Sequence, residues 1–112
     1  LTRAGVVTLV SAISPYIETR AAARGMVEEF GPFVEVFVDT SVEECARRDV
    51  KGLYAKAFSG EIKEFTGVSD PYEAPPTPDV HIRTEEESAA ESAGRVLAEL
   101  EARGLVGRAV TA

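Results

Sequence analysis

The chain has 112 residues, of which 45% are hydrophobic, and it carries a formal net charge of −7 at pH 7. This length predicts one small domain over residues 1–112, and the lack of any run of about 18 apolar residues excludes a membrane-spanning helix. An acidic chain without a clustered excess of lysine and arginine is not expected to bind nucleic acid. The single Cys45 excludes an internal disulfide and is typical of a reducing compartment, so we expect a cytoplasmic protein.

Three short apolar runs predict strands. Residues 6–12 form a nearly continuous β-branched run, as in a strand that is covered on both faces, and residues 33–39 form a second such run. Residues 79–83 predict a shorter third strand. Because the connections are long enough for crossovers, we expect all three strands to be parallel.

Capping residues mark the first two predicted helices. Ser14 is predicted to cap a helix that has Pro15 at its first position and continues to about Glu29. Ser41 and Glu44 have the spacing of a capping box, which predicts the start of a second helix.

The rest of the chain predicts a short helix at about 53–58, inside an otherwise irregular region of residues 51–78. Thr84 is predicted to cap a last helix, in which apolar residues recur at helical spacing and which ends just before Gly104. Alternation of strands and helices predicts an α/β fold with a parallel sheet flanked by helices.

A locally basic segment with aromatic residues interrupts this acidic chain. Between residues 45 and 66, five positive side chains stand against three negative ones. Three glycines in this region, Gly52, Gly60 and Gly67, cost backbone entropy to order, and the lysines repel one another until an anion binds. We therefore predict a mobile lid over a small anionic ligand, at about residues 48–78.

Four groups of residues in the lid and in the turn before the first helix carry a resemblance. They are Ile13-Ser14-Pro15-Tyr16, Lys51-Gly52-Leu53-Tyr54, Gly60-Glu61-Ile62-Lys63 with Phe65-Thr66-Gly67, and Asp70-Pro71-Tyr72-Glu73. In this order they resemble the adenylylsulfate kinase (APS kinase) family, from about residue 4 to about residue 100. The resemblance covers the C-terminal part of the family's domain and implies the C-terminal portion of a P-loop kinase-type parallel sheet.

Several of these residues have a chemistry of their own that fits an anionic nucleotide. Ser14 follows a predicted strand at the edge where α/β sheets bind ligands, and its hydroxyl and the adjoining helix N-terminus suit sulfate or phosphate, although Ser14 also fits a plain helix cap. Arg20 and Arg24 lie one helical turn apart and face the same side, so both could point at one anion. The alternative is that both simply face solvent. Lys51 can neutralise charge during phosphoryl transfer, or lie at a solvated helix end. Phe65 fits no helical or strand period, so we expect it to stack on a base.

The resemblance implies a role for each of nine residues. A guanidinium plane stacks well on a purine, so the nucleotide base is assigned to Arg48, or less readily to Arg47. Lys51 and Ser14 are implied in catalysis. The implied substrate-binding residues are Ile13, Ser14, Arg20, Arg24, Lys51, Phe65 and Thr66.

The chain departs from the family pattern at four positions. Ile17 and Thr19 stand where the family has Arg and Asp, and Ala12 stands where it has Phe. Glu64 replaces a glycine before Phe65, and its carboxylate would repel a polyanionic ligand.

His81 has no histidine or cysteine partner at metal-ligand spacing, so we predict a structural role for it and assign no metal ligand in this chain.

The family transfers the γ-phosphate of ATP, with Mg²⁺, to adenylylsulfate, which yields ADP and 3′-phosphoadenylylsulfate. It does so with a Gly-x-x-x-x-Gly-Lys-[Ser/Thr] loop, which these 112 residues lack. We therefore expect the chain to supply the lid and part of the substrate site of a longer kinase, and not to be competent alone. The alternative is a non-catalytic module that binds 3′-phosphoadenylylsulfate and regulates a fused ATP sulfurylase. Another small-molecule P-loop kinase fits the motifs less well. The resemblance also implies a homo-oligomer and a fused or associated ATP sulfurylase.

Overall fold

The computed structural model describes residues 7–49, 51–67 and 71–106. These residues group into two compact units. The first unit comprises the described residues up to Val34 and those from Ser41 to Thr77, and the second unit comprises Glu35–Thr40 and the described residues from Pro78 onward. The elements in chain order are α1 (Ile17–Glu28), β1 (Val36–Asp39), α2 (Val42–Arg48), α3 (Leu53–Phe58), β2 (Val80–Arg83) and α4 (Ala89–Ala102).

The second unit contains a parallel pair of strands. β1 and β2 are in register from Val36 opposite Val80 to Asp39 opposite Arg83. Val80 and Ile82 are buried, and α4 packs against β2. The prediction of parallel pairing between the second and third apolar runs is therefore confirmed.

Both strands are shorter than predicted at their first residues. The Glu35 N–H donates to the Asp79 Oδ2 carboxylate oxygen at 2.6 Å. A side chain therefore accepts this hydrogen bond, which in a longer strand would go to a backbone carbonyl of the neighbouring strand. The ladder then begins at Val36 and Val80.

The predicted first strand is wrong over residues 7–12, and Val6 lies outside the described residues. Residues 7–12 adopt no regular structure, and the apolar side chains of Leu9 and Val10 are 84% and 81% exposed. A strand is stable when a neighbour satisfies its backbone groups, and the described sheet consists of β1 and β2 alone. Residues 7–12 thus have the composition of a buried strand, but no strand in the described part of the chain pairs with them.

In the first unit, a turn at Ser14 leads into α1, and the predicted Ser14 cap is wrong. The N-cap is Tyr16, in extended conformation, and Ser14 has a φ of 41° in the left-handed region. The helix ends at Glu28, close to the predicted end, where the Phe30 and Gly31 amides fold back onto the Val27 carbonyl.

The two short helices of the first unit follow local signals. The Ser41 Oγ accepts a hydrogen bond from the Glu44 amide at 3.1 Å, so the predicted cap of α2 is confirmed. α3 spans Leu53–Phe58 as predicted, and its Ala57 is buried.

α4 begins later than predicted. Ser88 and Glu91 form a complete capping box, which starts the helix at Ala89, whereas the Thr84 hydroxyl lies 2.5 Å from the Thr40 hydroxyl. Gly104 follows the last turn with a φ of 70°, as a glycine past a helix end does. Within the described residues, no helix has the length and apolar character needed to cross a membrane.

Candidate functional site

The turn at Ser14 is bound to the far end of the predicted lid by one guanidinium group. Arg20 Nη1 donates to the Ser14 carbonyl oxygen at 2.7 Å, and Arg20 Nη2 donates to the Glu73 carbonyl oxygen. The Arg20 guanidinium carbon also lies 5.5 Å from the centre of the Tyr72 ring. Arg20 therefore joins two segments that are more than fifty residues apart in sequence.

Glu73 completes this connection from the other side. Its amide donates to the Pro15 carbonyl at 2.8 Å, and its Oε1 accepts a hydrogen bond from the Ile17 amide, also at 2.8 Å. Ile17 is the first residue of α1, so a carboxylate of the chain itself lies at the helix N-terminus, where it is stabilised by the helix dipole. The N–H group of Ile17 is therefore bound within the chain, whereas a free helix N-terminus for a sulfate or phosphate was predicted.

Arg24 contacts a different segment from Arg20. Its guanidinium carbon lies 4.7 Å from the centre of the Phe33 ring, and its Nη1 is 3.4 Å from the Phe33 carbonyl oxygen. Although the two arginines lie one turn apart on α1, the structure places Arg20 at the Ser14 turn and Arg24 against the segment that precedes β1.

The turn that carries Lys51 is fixed by an aspartate. The Asp49 carboxylate accepts hydrogen bonds from the Tyr54 amide at 2.9 Å and the Ala55 amide at 3.1 Å, both in the first turn of α3. Its carbonyl accepts a further bond from the Gly52 amide. Gly52 has a φ of 68°, which explains the glycine after Lys51. Lys51 itself is exposed.

Glu44 holds both arginines of α2. Its carboxylate is 2.5 Å from Arg47 Nη2 and 2.8 Å from Arg48 Nε. The hydrogen bond from Arg47 and then that from Arg48, against some desolvation, lower the pKa of the Glu44 carboxyl to about 2. The side chains of Arg47 and Arg48 are 71% and 43% exposed, so each guanidinium also faces solvent.

Phe65 lies beside Tyr54, and Gly67 closes the same loop onto α2. The rings of Phe65 and Tyr54 are edge to face, with centroids 4.9 Å apart. Burial raises the pKa of the Tyr54 phenol, and the neighbouring Cys45 and Asp49 raise it further. A Cβ on Gly67, whose φ is 86°, would lie 3.2 Å from a methyl group of Val42, so the loop approaches α2 closely.

The nine predicted site residues therefore differ in how the structure positions them. Ser14 and Arg20 are in direct contact, and Arg47 and Arg48 share one carboxylate. Ile13 and Lys51 are exposed, whereas Thr66 is half-buried. No role was predicted for Glu73, although it belongs to the Asp70–Glu73 motif, because its partners lie 53 or more positions away.

In the second unit, the ring of His81 is held by an aspartate and a phenylalanine. Its Nε2 lies 2.8 Å from the Asp39 Oδ2 atom, and its ring stacks on Phe37 with 4.8 Å between centroids. These contacts support the structural role predicted for His81. Across residues 7–49, 51–67 and 71–106, no three histidine, cysteine, aspartate or glutamate side chains are grouped to hold a metal ion.

Comparison with known proteins identifies the family. The family model described as adenylylsulphate kinase matches residues 1–83. The adenylyl-sulfate kinase of Picosynechococcus sp. is 53% identical over 106 residues, which are 95% of this chain and 58% of that protein. The bifunctional enzyme NodQ of Rhizobium sp. is 58% identical over 88 residues, which are 79% of this chain and 14% of that protein.

A solved structure agrees with these sequence matches. The structure of the Mycobacterium tuberculosis APS kinase CysC in complex with AMPPNP and APS aligns with a TM-score of 0.79 and 48% identity, over 83% of this chain and 54% of that one. The chain thus spans little more than half the length of the adenylyl-sulfate kinases that it matches. By sequence and by fold, it belongs to the adenylylsulphate kinase family.

Proposed function

We propose that this chain supplies the lid and part of the substrate site of an adenylylsulfate kinase-type phosphotransferase. The reaction is ATP plus adenylylsulfate to ADP plus 3′-phosphoadenylylsulfate. The observation that carries this proposal is the alignment, at 48% identity, with a chain that was solved with both AMPPNP and APS. In this proposal residues 1–112 are the C-terminal part of the kinase domain, with the lid at about 48–78.

The geometry of the Lys51 turn supports a role for its ammonium group in phosphoryl transfer. Asp49 fixes the turn through three hydrogen bonds, and Lys51 is left exposed beside it. A lysine at such a place neutralises negative charge that develops on the transferred group. We assign Lys51 and Ser14 to the catalytic side of the site.

The aromatic and guanidinium groups of the lid support nucleotide binding. Phe65 is half-buried against Tyr54, which fixes the plane of its ring before a base arrives. Arg48 is oriented by Glu44, and a guanidinium so held loses less conformational entropy when it stacks on a purine. We assign Arg48 to the nucleotide base, with Arg47 as its neighbour. The residues proposed for the substrate side are Ile13, Ser14, Arg20, Arg24, Lys51, Phe65 and Thr66.

Mg²⁺ accompanies ATP in this reaction class and neutralises the phosphate charge. The described residues offer no grouped carboxylates that fit the ion. We therefore place no Mg²⁺ ligand among them and derive no step that runs through the metal.

Calorimetry with adenylylsulfate tests the site. Charge-assisted contacts contribute about 1.5–3 kcal/mol each, so Lys51→Ala should weaken binding about 10- to 100-fold. The matched control is Lys56→Ala, which removes the same charge from an exposed position on α3 and should change the affinity less than about 3-fold, because only screened long-range charge is lost. Equal effects in both variants, or none in Lys51→Ala, would remove Lys51 from the site.

A second candidate function is a regulatory module that binds 3′-phosphoadenylylsulfate without catalysis. The observation that favours it is the set of departures from the family pattern on the substrate side, at Ile17, Thr19 and Glu64. A turnover assay with ATP and adenylylsulfate separates the two functions when it is run on the longer kinase that the first proposal requires, because these 112 residues are not expected to turn over alone under either function. Binding of 3′-phosphoadenylylsulfate together with no turnover supports the module, and turnover supports the enzyme.

The proposal also covers the location of the protein and its association with other chains. The family resemblance implies a cytoplasmic homo-oligomer with a fused or associated ATP sulfurylase. Light scattering of the purified protein, alone and mixed with an ATP sulfurylase, checks both kinds of association.

A further inference from the structure

We propose that Arg20 and Glu73 form a clamp that positions Ser14, so that Arg20 belongs to the substrate side through its hold on Ser14 and not through a contact of its own with the substrate anion. The inference deepens the proposed function, on which the substrate role of Ser14 rests. The clamp is defined as the Arg20 guanidinium, the whole of Glu73 and the groups that they bind in the turn of residues 14–17.

The Arg20 guanidinium is directed at the protein backbone. Its two terminal nitrogens donate to two carbonyl oxygens, that of Ser14 at 2.7 Å and that of Glu73. A guanidinium presents its donors in a rigid planar fork, so it can bridge two acceptors in a fixed geometry, whereas a lysine ammonium is a single point charge. Half-buried Arg20 therefore sets the separation between the Ser14 turn and the end of the lid.

Glu73 adds two hydrogen bonds that run between the same two segments. Its amide donates to the Pro15 carbonyl, and its carboxylate accepts from the Ile17 amide, each at 2.8 Å. Residues 14–17 are thus bound through backbone groups on both sides of Tyr16. The carboxylate also takes the place at the helix N-terminus that a ligand anion would need.

The clamp explains the backbone conformation of Ser14. A serine with a φ of 41° lies in the left-handed region, where a side chain is unfavourable unless the surroundings hold it. The Arg20 bond to the Ser14 carbonyl holds that peptide group directly. Because the backbone conformation of Ser14 sets the direction of its Cα–Cβ bond, loss of the clamp should release the side chain from the position proposed for ligand binding.

Two readouts test the clamp, and the first does not depend on ligand binding. Hydrogen exchange of the Ile17 and Glu73 amides should become about 10-fold faster in Arg20→Lys, since each is bonded within the clamp. The second readout is the affinity for adenylylsulfate, which should fall about 10-fold in Arg20→Lys and in Glu73→Ala. Glu73→Gln should stay within about 2-fold of the wild type, because an amide oxygen still accepts the Ile17 bond.

A double-mutant cycle distinguishes positioning from direct binding. If the clamp acts as one unit, Arg20→Lys combined with Glu73→Ala should weaken binding only about 2-fold more than either change alone. If Arg20 binds the substrate directly, the two losses should multiply to about 100-fold. Glu91→Ala is the matched control, because it removes the corresponding carboxylate from the capping box of α4 in the second unit. It should lower thermal stability and leave the affinity unchanged.

The exchange and affinity results decide between the clamp and its alternatives. Unchanged exchange of the Ile17 and Glu73 amides in Arg20→Lys overturns the clamp, whether or not the protein binds a nucleotide. Faster exchange with unchanged affinity overturns the positioning of Ser14, as do multiplicative losses in the cycle. A wild-type protein that binds neither adenylylsulfate nor 3′-phosphoadenylylsulfate contradicts the proposed function, and the exchange result then still decides whether the clamp holds the turn.

Discussion

The ring of Tyr54 packs against the ring of Phe65 with 4.9 Å between centroids and 74° between their planes. Tyr54 lies on α3, and its amide is one of those held by Asp49, so the ring of Phe65 is oriented by the same turn that carries Lys51. This contact links the aromatic residue predicted to stack on the base to the lysine predicted to meet the phosphate.

Phe65→Leu should weaken binding of adenylylsulfate about 10-fold, because stacking on a base contributes about 1–3 kcal/mol. The matched control is Tyr54→Leu, which removes the same ring pair but leaves Phe65 in place. It should lower the stability by about 1 kcal/mol and weaken binding less than about 3-fold, because Phe65 keeps its ring for stacking and loses only the contact that orients it. Calorimetry and thermal unfolding measure the two effects. If both variants lose affinity equally, Phe65 acts only through the ring pair.

Asp49→Ala should destabilise α3 by about 1 kcal/mol, since helix-capping side chains contribute about 0.5–2 kcal/mol. For a small domain this lowers the midpoint of thermal unfolding by about 4–8 °C. Asp49→Asn keeps an acceptor oxygen and should lose less than half as much. The comparison variant is Glu61→Ala, which removes an exposed carboxylate soon after α3. A similar loss in Glu61→Ala would show that the Asp49 effect comes from charge and not from the cap.

Elements whose signals lie within a few residues were predictable from the sequence. α3 is a clear case, because glycines and a short apolar run define it locally, and the Ser41 cap of α2 depends on a partner three residues away. The parallel pairing of β1 and β2 followed from two apolar runs joined by a long connection.

Features that depend on distant partners were not predictable. Ser14-Pro15 has the composition of a helix start, but the Ile17 amide takes its acceptor from Glu73, 56 positions later, and the helix begins beyond Tyr16. Residues 7–12 have the composition of a buried strand without a strand partner in the described part of the chain. A single sequence shows neither which carboxylate caps a helix nor which segment covers an apolar run.

In the candidate site, too, sequence motifs and distant contacts contributed different parts. The motifs predicted nine site residues, and the structure shows groups that hold these residues or the turns that carry them, namely Glu44, Asp49, Tyr54 and Glu73. The binding and catalytic roles of the nine site residues stay predictions, because contacts within the chain do not report what a ligand touches.

The Glu44 carboxyl gives a pH dependence with a definite sign. The hydrogen bond from Arg47 and then that from Arg48 lower its pKa to about 2 from an ordinary value of 4.5. The stability that this group contributes is therefore fully present above about pH 4.5 and is lost as the pH falls through 2. NMR titration of the Glu44 carboxyl carbon should show a midpoint near 2, and Arg47→Gln should raise it.

The same titration has a matched control on α2. Glu44→Gln removes the titrating group and should flatten the loss of thermal stability between pH 4.5 and 2, whereas Glu43→Gln, at an exposed neighbouring position, should leave that loss as in the wild type. A Glu44 midpoint near 4.5 would contradict the pairing with Arg47 and Arg48.

Glu64 has a φ of 56°, a left-handed conformation that a glycine adopts without strain. The residue lies immediately before Phe65, at the position where the family that this chain resembles has glycine. Its side chain is exposed. Glu64 therefore differs from the family's glycine in two respects that matter here, namely a Cβ that strains the backbone and a carboxylate that carries a negative charge. These two differences predict separate effects, one on stability and one on binding.

Glu64→Gly should raise the stability of the protein by about 0.5 kcal/mol, because relief of about 1 kcal/mol of backbone strain exceeds the entropy that glycine adds to the unfolded chain. Thermal unfolding should then shift upward by about 2–4 °C. Glu64→Ala keeps the Cβ and should give no such shift. Both variants remove a carboxylate that would repel a polyanion bound at the predicted site, so both should bind adenylylsulfate more tightly than the wild type, by about 2- to 5-fold at low salt and less at high salt. A gain in affinity for Glu64→Gly alone would show that the backbone of the loop, and not the charge of Glu64, limits binding.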